Sequence, residues 1–520
     1  MSEAPPAPLA TERALARRGA PLSAVLALLA GALLVLAFAP TGSWPLAVLA
    51  PAVQIYLWQG VAPRRAALLG FCFSFGTFAV GTYWIYISVH GFGQAPIWLA
   101  LLLMLALVSI MSSYQALLGW LVARWLPARG PRRWLLGIPA AWLLIEWLRG
   151  WLFSGFSWLS LGLSQTDTWL RGFAPLLGMH GISALLLCAA GGCVTLLLGK
   201  GRERWLALLV LLLPWPIGAG LDDIEWTRLA GAPVGVALVQ GAIPQDEKWL
   251  DTNHDTTLRI YRDLTRSALG TPLIVWPEAA APDLANNLVD YLGGLYKEAS
   301  AHGSALVLGV LRADPPPPGQ RGEPKYFNAV VALAEHVGWY DKRHLVPFAE
   351  FFPVPAFVRR WLRLMSLPYS DFTHGADEQP PLSAAGLELA MTICYEDAYG
   401  SSQLAVLQRA TVLANVTNDA WFGRSSARFQ HLQLSRMRAL EAQRWMIRAA
   451  NDGVSALIGP RGEVMGRAPE YQATVLRGSV VPRSGLTPYA RVGNWLVVSL
   501  ALIALVYVGA RSGRADRGMT

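Results

Sequence analysis

Eight apolar stretches, seven before residue 221 and one after residue 491, restrict this 520-residue chain to folds that place much of it in lipid. They are Pro21–Phe38, Trp44–Trp58, Ala66–Ile87, Pro96–Trp125, Trp134–Leu152, Phe173–Leu198, Trp205–Gly220 and Val492–Ala510. A helix needs about 20 apolar residues to cross roughly 30 Å of hydrocarbon. Most of the stretches reach that length, whereas Trp44–Trp58 is short and reads as a thin or re-entrant span. The charges between the stretches require it to be counted.

If all eight stretches cross, residues 1–20, the loops at Arg64–Arg65, Arg124–Arg133 and Lys200–Arg204, and the tail after Arg511 lie on one side. That side carries fifteen Lys or Arg, against Arg149 and Arg171 in the opposite short loops. The positive-inside rule then puts both termini in the cytoplasm and the segment from about 221 to 491 outside. The same fringe holds only four acids, so it accounts for the chain's net charge of +9 and leaves the exterior segment slightly acidic. Basicity here reports orientation and does not indicate a nucleic-acid partner. Arg17-Arg18 and Ala37-Phe38-Ala39 imitate a secretory signal, but the apolar core between them exceeds the usual length of about 7–15 residues. The first stretch is expected to be a retained anchor.

Between Val234 and Val481 the apolar runs become short. Val234–Gln240, Leu273–Trp276, Ala305–Val310, Ala329–Ala334, Leu387–Ile393, Val412–Thr417 and Ser455–Ile458 read as buried strands. Helical patterns intervene at Thr256–Ala268, Leu288–Ala301 and Phe429–Ala450, and Asp314–Gly322 reads as a proline-rich loop between two strands. Alternating strands and helices over this length predict one α/β domain with a sheet core covered by helices. The chain is therefore expected to be multi-domain: a membrane domain with seven transmembrane helices over 1–220, an exterior catalytic domain over 221–490, and an eighth transmembrane helix with a tail over 491–520.

Cys394 is the one cysteine of the exterior segment, placed where strand Leu387–Ile393 breaks into Tyr395-Glu396-Asp397. Cys72, Cys188 and Cys193 all lie in apolar stretches, so a lone thiol at a strand end is a candidate nucleophile. Glu278 ends the run Leu273–Pro277, and Lys342 follows Val337–Asp341. Strand ends of α/β domains converge on one crevice, so the three residues can meet there. Glu can accept a thiol proton, Cys can attack a carbonyl and Lys can stabilise an oxyanion, which together make an acyl-transfer set. Lysine occurs at only five positions, 200, 248, 297, 325 and 342, so its use at 342 points to a need for a compact charge. The backbone N–H of Tyr395, opening a helix-like turn, would favour thiolate and oxyanion alike.

The order of these residues, with Trp276-Pro277-Glu278, Lys342-Arg343-His344-Leu345-Val346-Pro347-Phe348-Ala349-Glu350, Cys394-Tyr395-Glu396, Asn418–Gly423 and Gly485–Arg491, resembles the carbon–nitrogen hydrolase (nitrilase) superfamily. Seven spans, this domain and a last span resemble its membrane-embedded branch, the apolipoprotein N-acyltransferase family. The resemblance covers essentially the whole chain, with Ala349 standing where glycine is common. It implies an α-β-β-α sandwich for residues 221–490 and a location in a bacterial inner membrane with the catalytic domain in the periplasm. It implies that Cys394 takes an acyl chain from a phospholipid, phosphatidylethanolamine above all, as a thioester. The chain would then pass to the α-amino group of a lipoprotein's diacylglyceryl-cysteine. Glu278 would be the general base and then acid, Lys342 the oxyanion stabiliser, and Glu350 a carboxylate that orients Lys342 or assists proton transfer. Tyr395, Glu396 and Trp249 would support or line the site, and neither a cofactor nor a metal is called for.

Both substrates of such a reaction are lipid-anchored, so the site must face the bilayer surface. The aromatic and basic segment 351–369, with Arg359, Arg360 and Arg363, is expected to form a lid or lipid portal beside Glu350. The eight histidines show no metal-ligand spacing, His344 is expected to be structural, and Asn451-Asp452-Gly453 reads as a turn. Glu146 and Arg149, three apart in one stretch, are expected to pair with each other. The rival reading is a membrane-tethered amidase or nitrilase that hydrolyses a small soluble amide with the same three residues, although one span would suffice as a tether. A transporter or scaffold role is disfavoured by the scarcity of charges in the spans.

Overall fold

The computed structural model describes residues 10–316, 322–351 and 372–517, with side chains described for residues 21–510 of these. The portal segment expected at 351–369 lies, beyond Phe351, outside the described residues.

Helices occupy all eight apolar stretches. In chain order they are α1 (Ala10–Leu34), α2 (Leu46–Leu57), α3 (Pro63–Gly81), α4 (Trp84–Phe92), α5 (Ile97–Trp125), α6 (Ile138–Arg149), α7 (Ala174–Leu198), α8 (Arg202–Leu212) and α9 (Pro214–Asp222), with the last stretch after the sheets. Among the described residues three helical segments are long and apolar enough to cross a membrane: Ile97–Trp125, Trp169–Leu198 and Arg202–Asp222. The pair α3 and α4, bent by 51°, makes a fourth if it is one span, and Pro21–Ala37, Leu46–Leu57 and Trp495–Ala510 are shorter apolar helices.

The helices divide into a buried centre and an exposed ring. In α7 most residues are buried, whereas α5 turns Leu102 and Ile110 outward, and Leu22, Leu209 and Ile503 are likewise more than half exposed. An apolar ring on this scale needs lipid rather than water around it. Within the bundle the backbones approach closely because glycines line the contacts. A Cβ at Gly31 would stand 1.8 Å from the Phe73 carbonyl oxygen, and one at Gly70 would stand 2.2 Å from that of Gln115. Small residues replace the hydrophobic drive that is absent between helices in lipid.

Glu146 and Arg149 of α6 do not pair with each other, contrary to expectation. Glu146 accepts from the Ser183 hydroxyl at 2.5 Å and the Leu161 N–H at 3.1 Å, while Arg149 donates to the Trp158 carbonyl at 2.8 Å and Ser160 Oγ at 3.2 Å. Loop 157–161 supplies partners for both, which an (i, i+3) reading of one helix does not include. Beside them Ser74, Gln115, Glu146 and Arg149 border a cavity of about 40 Å³. Such a space holds roughly three waters.

The α/β domain begins with β1 (Arg228–Leu229), which pairs antiparallel with β14 (Arg483–Ser484), so the strand entering the domain and the strand leaving it lie side by side. Between them are β2 (Val234–Gln240), α10 (His254–Ser267), β3 (Leu273–Val275), α11 (Val289–Ala301), β4 (Ala305–Asp314), β5 (Lys325–Leu333) and β6 (Val337–Asp341). The second half adds β7 (Leu382–Ala384), β8 (Leu387–Ile393), β9 (Val412–Thr417), α12 (Ala427–Ala442), β10 (Met446–Ala450), β11 (Ala456–Ile458), β12 (Val464–Arg467) and β13 (Thr474–Val480). The short helix α13 (Pro488–Val492) and then α14 (Trp495–Arg517) complete the chain's described course. Two six-stranded sheets form, ordered β13-β2-β3-β4-β5-β6 and β12-β11-β10-β9-β8-β7.

Strand alternation builds the layers. Val236 and Leu238 of β2 meet Leu389, Met391 and Val416 between the sheets, whereas Ala237 and Val239 pack on Leu258, Leu292 and Leu295 of α10 and α11. On the far side Leu413 and Met446 pack on Leu432 and Ala439 of α12. The domain is thus the helix–sheet–sheet–helix sandwich. Both faces of the central strands are covered, which is why they appear in sequence as unbroken apolar runs.

One element differs from the sequence reading. The helix expected over Phe429–Ala450 stops at Ala442, where Gln443 takes a left-handed φ of 44°, and Met446–Ala450 becomes β10, paired parallel to β9. Helix α12 is buried nearly all round, between its sheet and the helical domain, so the apolar pattern offers no polar face to mark its end. The loop at Asp314–Gly322 joins β4 to β5, with residues 317–321 outside the described set.

Gly70→Ala is expected to lower stability in detergent by about 1–3 kcal/mol through overpacking against the α5 backbone. The gain in helix propensity, about 1 kcal/mol, is too small to offset it. Thermal unfolding of purified protein measures the difference, and an unchanged midpoint would contradict the close packing.

Candidate active site at the strand ends

Glu278, Lys342 and Cys394 emerge at the ends of β3, β6 and β8, and the two sheets bring them to one crevice. Lys342 is 1% exposed, with Nζ 2.8 Å from Glu350 Oε1 and 3.3 Å from Glu278 Oε1. Asn328 of β5 joins the same two carboxylates through Nδ2, at 2.7 Å from Glu278 and 3.0 Å from Glu350. The second oxygen of Glu278 accepts the Asn418 N–H at 3.0 Å, and that of Glu350 accepts the Val346 N–H at 2.8 Å. Burial works against charge on Lys342, but Glu278 and Glu350 outweigh it and hold its pKa well above the ordinary lysine value. The ammonium group is a fixed cation held by two carboxylates.

Cys394 opens the 3₁₀ helix Cys394–Ala398 in a left-handed backbone conformation, φ 52°. A non-glycine residue there costs about 1–2 kcal/mol and must be held in place by its surroundings. Its carbonyl oxygen accepts Asn415 Nδ2 and lies against His431 Nε2, both at 3.1 Å. Burial, aided by the charge of Glu278, pushes the thiol pKa up, while Lys342 and a hydrogen bond with Thr417 pull it down without prevailing. The resting sulfur is therefore a thiol, and any attack by it would need a base to take its proton. Glu278, a carboxylate of the same crevice, is available for that.

The supporting residues divide. Glu396 is fully buried and accepts four hydrogen bonds: the Ile393 N–H at 2.8 Å and Tyr340 hydroxyl at 2.9 Å on one oxygen, the Arg343 N–H at 2.7 Å and His344 N–H at 3.0 Å on the other. It supports the site and has no oxygen left for a substrate. Tyr395 lies with Phe156 and Trp158 of the helical domain at ring-centroid distances of 6.3 and 6.1 Å. Trp249 stands at the rim, 47% exposed, with the Lys248 ammonium 5.7 Å from its ring. His344 stacks on Tyr399 at 4.4 Å, in keeping with a structural role. The Asn451 turn does more than reverse the chain. Asn451 is fully buried and bonds Ile243, Asn418 and the Tyr261 hydroxyl.

Several neighbours escaped the sequence reading. Asn328 interrupts the apolar run of β5, a polar residue where burial was otherwise expected, and that was its signal. Lys248 is one of the five lysines; it is 1% exposed, and its Nζ lies 3.5 Å from the Glu278 carbonyl oxygen. Burial lowers its pKa to about 8 against the pull of Glu278 and Asp452. His431, Asp397, Asp419 and Arg448 form a fully buried charge cluster beneath Cys394. Among the described residues no three His, Cys, Asp or Glu side chains gather to hold a metal ion.

Residues 30–192 match the model of the apolipoprotein N-acyltransferase N-terminal domain, and residues 235–488 match that of the carbon–nitrogen hydrolases. A curated apolipoprotein N-acyltransferase of Azotobacter vinelandii is 44% identical over 95% of this chain and 96% of its own length. The chain belongs to the apolipoprotein N-acyltransferase family. Further relatives of that name occur in Methylococcus capsulatus, 41% identical over 92% of this chain and 94% of theirs, and Chromobacterium violaceum, 42% identical over 94% of each. Among solved structures, the NitFhit protein of C. elegans aligns at 18% identity and a TM-score of 0.37 over 51% of this chain and 63% of that one. A Helicobacter pylori carbon–nitrogen hydrolase aligns at 15% and 0.35 over 48% and 88%. Membership of the acyltransferase family makes this chain an N-acyltransferase and a membrane protein.

Glu396→Gln would turn an amide NH2 towards donors that need an acceptor. It is expected to destabilise the protein by about 2–3 kcal/mol, the cost of a buried donor left unpaired. It should also slow acyl transfer by loosening the Lys342 loop. Unfolding in detergent and a transfer assay read the two effects, and a variant of native stability would contradict the role of Glu396.

Proposed function

We propose that this acyltransferase takes an acyl chain from a phospholipid of the bacterial inner membrane, phosphatidylethanolamine above all, onto Cys394. The chain then passes to the α-amino group of a lipoprotein's N-terminal diacylglyceryl-cysteine. In the first half-reaction Glu278 takes the thiol proton as Sγ attacks the ester carbonyl. Lys342 and the Tyr395 N–H stabilise the oxyanion. Collapse breaks the ester C–O bond, and Glu278 returns the proton to the departing lysophospholipid oxygen. In the second half-reaction the lipoprotein amine attacks the thioester, Glu278 takes an amine proton, and the C–S bond breaks to leave the amide and the restored thiol. Glu350 and Asn328 hold Lys342 and Glu278 in position throughout, while Tyr395 and Trp249 border the space for substrate.

The observation that carries this reading is the contact of Tyr395, next in the chain to the nucleophile, with Phe156 and Trp158 of the helical domain. It supports a lipid ester over a small soluble amide as the substrate, since the residue next to Cys394 lies against the apolar part of the molecule. We assign 1–220 to the membrane domain, 221–490 to the catalytic domain and 491–520 to the last helix and tail. In this reading all eight helical segments traverse the bilayer, α2 and the bent α3–α4 pair among them, and both termini are cytoplasmic. The catalytic domain is then periplasmic. This topology rests on the fifteen basic residues of one fringe and the two of the other.

Intact-mass analysis of the purified enzyme mixed with phosphatidylethanolamine tests the mechanism. A hydroxylamine-labile acyl adduct is expected on the wild type and not on Cys394→Ser, and a diacylglyceryl-cysteine peptide should discharge it with formation of an amide. Steady hydrolysis of a soluble amide, without any adduct from phospholipid, would favour the amidase reading.

A further inference from the structure

The imidazole of His431 on α12 is completely buried, and its partners define its state. Nδ1 lies 2.8 Å from Asp419 Oδ1, and Nε2 lies 3.1 Å from both Asp397 Oδ1 and the Cys394 carbonyl oxygen. All three are acceptors. A neutral ring would present a lone pair to one of them, so the geometry is satisfied only when both nitrogens carry hydrogen.

The surrounding groups balance that charge. Arg448 of β10 approaches Asp419 Oδ2 at 2.9 Å and Asp397 Oδ2 at 3.5 Å, and it also donates to Asn415 Oδ1 and Ser435 Oγ at 2.9 Å each. Ser435 donates to Asp397, and Thr417 to Asp419 at 3.2 Å. Two carboxylates therefore face two cations, with Trp158 of the helical domain and Phe422 against the ring at centroid distances of 5.7 and 6.3 Å. A closed neutral cluster of this kind is tolerated in an interior that would reject one unpaired charge.

The cluster touches the proposed chemistry at the Cys394 carbonyl oxygen, and through Thr417, which donates to Asp419, it also borders the thiol. A trans peptide directs its C=O and N–H to opposite sides. With the carbonyl drawn down onto His431 and Asn415, the Tyr395 N–H is turned the other way. The left-handed φ of Cys394 is held by the same two donors.

We propose that His431, as an imidazolium held between Asp397 and Asp419, is a positioning residue that fixes the nucleophile's peptide, and that acylation requires its charged form. The proposal rests on the reading of Cys394 as the acyl carrier. Burial and Arg448 disfavour the charge, but Asp397 and Asp419 outweigh them and raise the pKa of His431 to about 9. Since this lies above the ordinary histidine value, the ring's contribution to folding and positioning is complete below about pH 6.5 and is lost as pH rises through about 9. Lys342, whose pKa lies well above the ordinary lysine value, does not titrate in that window. The Cys394 thiol, also shifted upward, would raise the rate with pH rather than lower it.

The test is the single-turnover rate of adduct formation by full-length enzyme with phosphatidylethanolamine in mixed micelles, from pH 6 to pH 10. For the wild type a fall of about tenfold or more is expected, centred near pH 9. Asp419→Asn removes one counter-charge and should move that centre to lower pH, a displacement that a purely structural role would not produce. His431→Gln should acylate about 100-fold more slowly, as expected for a misplaced reacting group, and should lose the alkaline fall. If that variant does not fold, the wild-type profile and Asp419→Asn decide. A wild-type rate that is level or rising to pH 10, or a centre unmoved in Asp419→Asn, overturns the proposal. An adduct that persists in Cys394→Ser overturns the nucleophile assignment, and the proposal with it. A Cys394-dependent adduct with a level profile overturns the proposal alone.

Discussion

The carboxylate of Glu396 holds the site together. It receives four donors from two directions: the end of β8 through Ile393, and the end of β6 through Tyr340, Arg343 and His344. Those strands belong to different sheets. Cys394 is next to Ile393, and Lys342 lies between Tyr340 and Arg343, so one buried group sets the separation of the thiol and the ammonium. A carboxylate suits this task because it only accepts and has room for about four hydrogen bonds. Glu278 then joins from β3, kept in register by Asn328 and the Asn418 N–H.

The same economy governs the join between the α/β domain and the helical domain. The two chain crossings are paired as β1 and β14, and Arg483 of β14 donates to Thr227 and Glu225 across that join. Helix α12 then lies between its sheet and the helices. Gln430 receives Trp158 Nε1 at 2.7 Å, and Glu441 receives the Met179 N–H at 2.8 Å beside the left-handed Gly178. Trp158 also touches Tyr395 and His431. One indole from the helical domain thus contacts both Tyr395, next to Cys394, and His431 beneath it, so the crevice is tied to the helical domain by packing.

Much of this was legible in the chain. Strands β8 and β9, and the strand-end positions of Glu278, Lys342 and Cys394, follow from short apolar runs that end in a polar residue, because a strand buried on both faces has no polar alternation to confuse its ends. Helix α12 and strand β10 were not separable, since a helix buried all round and a buried strand share one apolar composition. Arg448 was hidden for the same reason: inside an expected helix it is one charge among many, whereas inside β10 it is a buried cation that demands carboxylates. The partners of Glu146 and Arg149 came from loop 157–161, whose path no helical spacing encodes.

By itself the sequence determined the division into apolar helices and an α/β segment, the uneven spread of basic residues between the loops, and the strand ends at which Glu278, Lys342 and Cys394 stand. These are set by local composition, since the transfer of apolar surface and charge between water and lipid acts on each stretch separately. Only the tertiary structure decided that Glu396 accepts donors from two sheets, that Asn328 joins Glu278 and Glu350 around Lys342, and that His431 lies between Asp397 and Asp419 beneath Cys394. Hydrogen-bond partners more than a hundred residues apart, such as Glu278 and Asn418, become neighbours only through sheet packing. The charge state of a buried group depends on those neighbours rather than on the residue alone.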